Sequence, residues 1–320
     1  MTQYIGVDMA SESLQVAFDE ETNINFSNDD SGFKLMLKKV KPGAIFGVES
    51  TSNYHHAFCI FFLKKGYDIK EVNPIVTSQQ IRCTVRKKKT DITDALLIRR
   101  ILEFGEGRSM SLKNLISQFA ELKKLSRSRK HLVDMRSALK RKFKSLEKDV
   151  CDTKFLQKSY KRLEKNFDKE IEKLEKKLEK YKTKNTEILK SVTGISSILS
   201  AAIEGEIGDI AQFENAKKLV AFAGLDPKIK QSGKCLNSTG KLTKRGSSHL
   251  RHALFLAARS NICSNTVFTK YYKKLIKKGK SFTQATCATA RKMLEIIFVL
   301  LSKQILFDRN FCSKKVLTKA

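Results

Sequence analysis

Tyr4-Ile5-Gly6-Val7-Asp8 is a short apolar run closed by a carboxylate. Its β-favouring residues predict a buried strand ending at Asp8. The pattern recurs at Ala44-Ile45-Phe46-Gly47-Val48-Glu49, a second buried-type strand closed by an acid. Between them, Ser13–Phe18 alternates as a strand and Asn23–Phe26 reads as a further one. Asn28-Asp29-Asp30-Ser31 is a turn and N-cap cluster leading into a short helix over Gly32–Val40, which Pro42-Gly43 breaks. Tyr54–Lys65 predicts an apolar-faced helix ended by Gly66. Tyr67–Val72 predicts another strand, stopped by Asn73-Pro74. Three adjacent strands followed by helix–strand repeats predict an α/β unit with a mixed sheet and helices on its faces.

The 320 residues suffice for two or three domains with real cores. Lys plus Arg number 63 against 33 Asp plus Glu, a net charge of +30. That excess says nothing about fold, but it asks for a polyanionic partner, bound in a salt-dependent way. No apolar run approaches the ~18 residues of a membrane span. The N-terminus enters a strand directly and shows no signal peptide. The seven cysteines are scattered, and none forms Cys-x-x-Cys. Neither a zinc site nor a disulfide framework is expected, and isolated thiols fit a reducing cytosol.

Residues 112–190 lack Gly and Pro and read as almost wholly helical. Phe167, Ile171, Leu174, Leu178 and Tyr181 step by 4, 3, 4, 3, a heptad seam. The seam serves either a solvated helical hairpin within one molecule or a coiled coil for dimerisation or domain spacing; the second is the preferred expectation. Residues 190–310 read as a second compact unit. In it Val192–Ile195 and Ile203–Gly208 resemble a helix–hairpin–helix, Asp226 to Lys244 is a Gly/Ser/Lys-rich loop, and His249–Ser260 and Phe282–Leu301 are buried amphipathic helices. The expected domains are 1–110, an α/β domain carrying the acids; 111–190, a helical coiled-coil region; and 191–320, a mostly α domain with the Ser-Gly loop.

The acids Asp8, Glu49, Asp91 and Asp94 are the chemistry-bearing set. Asp91 and Asp94, at i and i+3 of a predicted helix start, share one helix face. Magnesium is a hard cation that takes carboxylate and phosphate oxygens, and two ions can clamp the attacking and leaving oxygens of a phosphoryl transfer. Taken singly, Asp91 or Asp94 is a helix N-cap and Asp8 or Glu49 a surface strand end. A second set is Lys228-Ile229-Lys230-Gln231-Ser232-Gly233-Lys234, an exposed, anion-seeking stretch that for an arbitrary protein is only a solvated or phosphate-contacting loop. A third is Lys244-Arg245-Gly246-Ser247-Ser248-His249-Leu250-Arg251, read either as phosphate contacts from Lys244, Arg245 and Arg251 or as a capped helix start. His249 and His252 have a possible ligand spacing but no third ligand, so a helix-face role is preferred.

These signatures, in this order, resemble the insertion-sequence transposases of the Piv-invertase type. The N-terminal ones are Ile5-Gly6-Val7-Asp8, Gly47-Val48-Glu49-Ser50-Thr51, Val72-Asn73-Pro74 and Lys89-Thr90-Asp91 with Asp94-Ala95. The C-terminal ones run from Gly194-Ile195 through Glu206–Ile210, Leu219–Pro227 and Ser232-Gly233 to Lys244-Arg245-Gly246 and Leu250-Arg251. The resemblance implies an RNase H-like (RuvC-like) first domain, Mg²⁺ at Asp8, Glu49, Asp91 and Asp94, and a DNA transposase or recombinase activity with Ser232 as the nucleophile. Double-stranded DNA is the implied substrate, and Lys89, Lys230, Lys234, Lys244, Arg245 and Arg251 are the nucleic-acid contacts. Some members are guided by a structured RNA, which joins the implied partners. Recombination of two duplexes favours a homodimer or tetramer. Ser52 stands where the family often has Gly, and Ser247-Ser248 where Asn is commoner; neither is an implied ligand. The rival readings are a junction-resolving endonuclease using water as nucleophile and an inactive nucleic-acid-binding relic.

Overall fold

The computed structural model describes residues 2–49, 54–74, 76–77, 91–148, 153–232, 235–264 and 266–308. The basic run Arg82–Lys89, the segment Gly233-Lys234, and the side chains of Asp91, Lys230 and Ser232 lie outside the described residues. The chain divides into two compact units, Met1–Ser117 and Gln118–Ala320.

The first unit is built on a six-stranded mixed sheet, ordered β3-β2-β1-β4-β5-β6. β1 (Tyr4–Met9), β2 (Ser13–Ala17) and β3 (Asn23–Ser27) form an antiparallel meander. β4 (Ile45–Glu49) adds parallel to β1 and β5 (Asp68–Val72) parallel to β4. The short β6 (Arg108–Ser109), which no sequence signal marked, closes the edge. The parallel strands need crossovers, and helices α1 (Asp30–Leu37) and α2 (His55–Lys64) supply them.

Strand alternation sorts the two faces. Ile5, Val7, Leu14, Val16, Phe46, Val48 and Ile69 meet Phe33, Phe58 and Phe62 of α1 and α2 in one core. Phe46 and Phe62 have ring centroids 4.6 Å apart, and Phe58 and Phe62 4.5 Å, the spacing of favourable tilted aromatic pairs. The opposite face carries α3 (Asp91–Glu103), with Ile98, Ile101 and Leu102 packed on Val72 and Tyr4. Gly6 makes that docking possible. A Cβ there would stand 2.0 Å from the Ala95 carbonyl oxygen and 2.6 Å from the Arg99 nitrogen, both backbone atoms that cannot yield. A clamp outside the sheet fixes the same helix. Glu20, at the β2–β3 turn, takes Arg99 Nη1 at 3.1 Å and Arg100 Nη2 at 2.5 Å.

In the second unit, α5 (Gln118–Leu146) and α6 (Lys154–Glu179) lie side by side, after the short α4 (Leu112–Ile116) that ends the first. Ion pairs Lys177–Glu121, Arg129–Glu175, Arg136–Asp168 and Lys140–Glu164 show that they run antiparallel. The seam found by periodicity buries Ile171 and Leu178, and Leu178 joins Leu122 of α5 and Ala201 of α8 (Ser197–Ile207) in one cluster. The seam's partner is thus a helix of the same chain. The remaining helices, α7 (Lys184–Ser191), α9 (Ala216–Ala223), α10 (Ser248–Ile262), α11 (Val267–Lys277) and α12 (Phe282–Lys303), join α8 in enclosing a core of Leu189, Ile203, Leu219, Leu254, Met293 and Ile297.

Two local readings need correction. Gly205, expected in a turn, lies inside α8, where a Cβ would come 2.7 Å from the backbone nitrogen of Lys123. Its smallness serves helix-on-helix approach, not a phosphate-facing turn. The loop 226–244 is a β-hairpin, β7 (Pro227–Ser232) against β8 (Cys235–Leu242). Its base is closed by Thr243 N–H donating to the Asp226 carbonyl at 2.9 Å and by Thr243 Oγ1 donating to Asp226 Oδ1 at 2.5 Å.

Candidate functional site

Asp8 follows Gly6 by two residues on β1, and Glu49 follows Gly47 by two on β4, so both project from the sheet face that carries α3. Both are half-buried. The contacts order the helix: Tyr4 packs with residues 98–102, and Gly6 abuts Ala95 and Arg99. α3 therefore runs antiparallel to β1, with its first turn, carrying Asp91 and Asp94, toward the Asp8 end of the strand. Asp94 is half-buried and precedes the fully buried Ala95.

Glu49 has a fixed orientation that no motif announced. Thr77 Oγ1 lies 2.8 Å from Glu49 Oε1 and 2.9 Å from the Pro74 carbonyl oxygen, so its single proton serves either acceptor. Thr77 is buried, and its N–H reaches back to the Asn73 carbonyl at 3.4 Å. The Asn73-Pro74 break after β5 thus turns the chain so that a threonine stands against the strand-end acid. A lone Thr three residues after a Pro carries no sequence signal of this.

The donor chemistry suits a hard divalent cation: every candidate ligand is a carboxylate oxygen, and no sulfur or imidazole is among them. Among the described residues, no three Asp, Glu, His or Cys side chains stand close enough together to hold a metal ion. The side chain of Asp91 is outside that set.

Ser232 pairs with Cys235 across β7–β8, the last register pair before Gly233-Lys234, which places it at the hairpin tip. At the hairpin base, Lys244 and Arg245 are exposed, and Lys244 adopts φ 54°, the left-handed region. Arg251 is half-buried, and its Nη1 donates to the Ala223 carbonyl at 2.9 Å, closing the C-terminus of α9. Ser247 caps α10, its Oγ accepting from Leu250 N–H at 3.1 Å and donating to Glu206 Oε2 at 2.8 Å. On α10 His249 is half-buried and His252 lies on the exposed side; partial desolvation, with Arg127 acting on His249 and Lys130 on His252, lowers both below the usual imidazole range. They stay neutral at pH 7.

α8 buries two acids with opposite electrostatics. Burial would raise Glu206, but Arg127 Nε at 2.6 Å and Nη2 at 3.0 Å, with Ser247, hold it below the ordinary carboxylate range. Burial raises Glu204, and Thr183 Oγ1, 2.8 Å from Oε2, offsets that only in part. For Glu204 the sign is unfavourable: between the ordinary value of 4.5 and the raised one, the folded state binds the proton more tightly. Stability therefore falls as pH rises through that window. Glu204→Gln is expected to raise Tm at pH 8 and to lose that advantage near pH 4.5. Thermal melts at the two pH values check this; a Tm lowered equally at both would refute the burial cost.

Two sequence-family matches bear on this arrangement. Residues 5–151, which span Asp8, Glu49 and the α3 acids, match a DEDD-type transposase family, and residues 186–273, which span the hairpin, match the transposase IS116/IS110/IS902 family. The chain belongs to the IS116/IS110/IS902 transposase family. It is 25% identical to the pilin gene-inverting protein of Moraxella bovis over 96% of this chain and 98% of that one. It is 30% identical to an uncharacterised 43.6 kDa protein of insertion element IS110 from Streptomyces coelicolor, over 36% of this chain and 28% of the other. The transposase of insertion sequence element IS1111A from Coxiella burnetii is 29% identical over 36% of this chain and 32% of its own. The IS116/IS110/IS902 transposase assignment makes the chain a DNA-recombining enzyme. Among the described residues of this transposase, no helix is long and apolar enough to cross a membrane.

Proposed function

We propose that this transposase cleaves and exchanges DNA strands through a Ser232–DNA phosphodiester, with Asp8, Glu49, Asp91 and Asp94 as ligands of Mg²⁺ in an RNase H-like domain. The observation that carries the reading is the placing of Asp8 and Glu49 at adjacent strand ends on the face that receives α3. Bound there, the metal would supply charge stabilisation to the phosphate oxygens. Ser232 Oγ attacks phosphorus and gives up its proton; one backbone P–O bond breaks, and the freed strand end leaves as a hydroxyl. Strand transfer reverses the step: a hydroxyl of the second duplex attacks the phosphoserine and Ser232 regains its proton. The covalent bond conserves the phosphodiester energy, so no nucleotide is consumed.

Ser232 at a hairpin tip suits this role, because a tip presents the hydroxyl to a bulky duplex. The Val192–Ser196 turn between α7 and α8, with Gly194 at φ 88°, would offer backbone amides to phosphate in helix–hairpin–helix fashion. Lys89, Lys230, Lys234, Lys244 and Arg245 would contact the backbone of double-stranded DNA. The same reading takes a homodimer or tetramer as the assembly, a structured guide RNA as partner and α5–α6 as a coiled coil. Trapping the protein on a nicked recombination substrate with Mg²⁺, digesting it and sequencing the DNA-bearing peptide tests the chemistry. The expected adduct maps to Ser232. Cleavage with no adduct would replace this reading with a water-dependent nuclease.

A further inference from the structure

The ion-pair ladder between α5 and α6 stops partway along the pair. Arg129–Glu175, Arg136–Asp168 and Lys140–Glu164 keep a constant antiparallel register. Carried outward, that register sets Lys144 opposite Tyr160 and Lys148 opposite Leu156, so these two lysines face no acid across the pair, and the acids beyond the last rung are outnumbered by cations. Residues 136–167 hold eleven Lys or Arg against four Asp or Glu, whereas 118–135 with 168–181 hold ten against seven. Lys144, Lys148, Lys158, Arg162 and Lys165 are all exposed, and among the described residues no carboxylate makes an ion pair with them. Lys158, Lys161 and Lys165 step by 3 and 4 along one helix face, and Lys161 sits 5.5 Å over the Phe143 ring. Phe155 stands 79% exposed beside this row.

We propose that the outer half of the α5–α6 pair, centred on Lys144, Lys148, Lys158 and Lys165, is a DNA-holding arm that grips the phosphate backbone of duplex DNA. An unpaired row of like charges costs self-repulsion in the free protein, which a polyanion relieves by counterion release. The apolar residues there, Leu156 at 44% and Leu163 at 46% exposure, would also suit a second copy of the chain. Charge decides against it: two copies would bring seven excess positive charges against seven. DNA is the polyanion on which the family acts. The proposal concerns holding and is independent of the carboxylate and serine chemistry proposed above.

The test uses the full-length protein and a duplex oligonucleotide, with dissociation constants measured by fluorescence anisotropy across a salt series. Every phosphate that a lysine no longer neutralises takes about 0.9 off the slope of log K against log salt. The variant Lys144→Gln/Lys148→Gln/Lys158→Gln/Lys165→Gln is expected to flatten that slope by roughly 2 to 4 and weaken binding more than tenfold at low salt. A control, Lys169→Gln/Lys173→Gln/Lys176→Gln/Lys180→Gln, removes the same charge from the inner half, where Lys173 and Lys176 pair with Glu170 and Glu172. It should shift the slope by less than about 1. Equal losses in the two variants would mean that net charge alone acts, and would overturn the arm. A loss seen with a structured RNA of the same length and not with duplex DNA would overturn the DNA assignment. An unchanged slope together with dissociation of the protein on Leu156→Ser/Leu163→Ser would make the surface an interface between copies. Strand cleavage abolished by Asp8→Asn with its salt slope intact separates this proposal from the metal reading.

Discussion

Ser232→Ala is expected to eliminate the covalent protein–DNA adduct and to lower strand exchange on the order of 10⁴-fold or more, to background. A nucleophile that forms the only covalent intermediate has no substitute when its oxygen is removed, and losses of that size follow its removal in enzymes where a serine acts this way. The fold should not respond. Ser232 is the last paired residue of β7, and its backbone register with Cys235 survives the loss of a hydroxyl. Unaltered thermal melting and DNA affinity would therefore accompany the loss, while full exchange by the variant would remove serine from the mechanism. Ser232→Cys adds a control, since a thiolate is a competent nucleophile of different metal preference.

Asp8→Asn and Asp94→Asn should each reduce metal-dependent strand cleavage by about a thousandfold, the rate equivalent of the several kcal/mol that a bound metal contributes to charge stabilisation. Asn has the shape of Asp without its charge, so strand β1 and helix α3 keep their packing. Calorimetric titration of Mn²⁺ or Mg²⁺ gives a readout independent of turnover: affinity should fall with each substitution. Undiminished cation binding in both variants would place the metal elsewhere. Asp8 has a second use here as a probe of geometry, because the close approach of Gly6 to Ala95 sets how near α3 comes to the end of β1.

Much of the first unit was legible as local pattern. The runs 4–8, 13–18, 44–48 and 67–72 became strands and 54–65 a helix within a residue or two, because period-two apolarity and Gly/Pro breaks are written into single segments. The hairpin 227–242 escaped. Its Lys, Ser, Gly and Asn content has low intrinsic β preference, and its stability comes from cross-strand pairing that composition does not reveal. The seam 167–181 was legible as a seam, but its periodicity could not say which helix would cover it, and the partner proved to be α5 of the same chain. Gly205 misled for a related reason: glycine marks both turns and close helix contacts, and only the position of Lys123 distinguishes them.

The sequence by itself determined the +30 charge and its polyanionic partner, the acids at strand ends and helix start, and the order of signatures that marks the family. These are properties of composition and short-range spacing, which survive without coordinates. Only the tertiary structure decided that Asp8 and Glu49 face α3, that Thr77 stands against Glu49, that Arg251 closes a helix end, and that Lys144, Lys148, Lys158, Arg162 and Lys165 make no ion pair with a carboxylate among the described residues. Each depends on an approach between residues distant in sequence or on different elements, chosen by packing of the whole unit, and no local period encodes that choice.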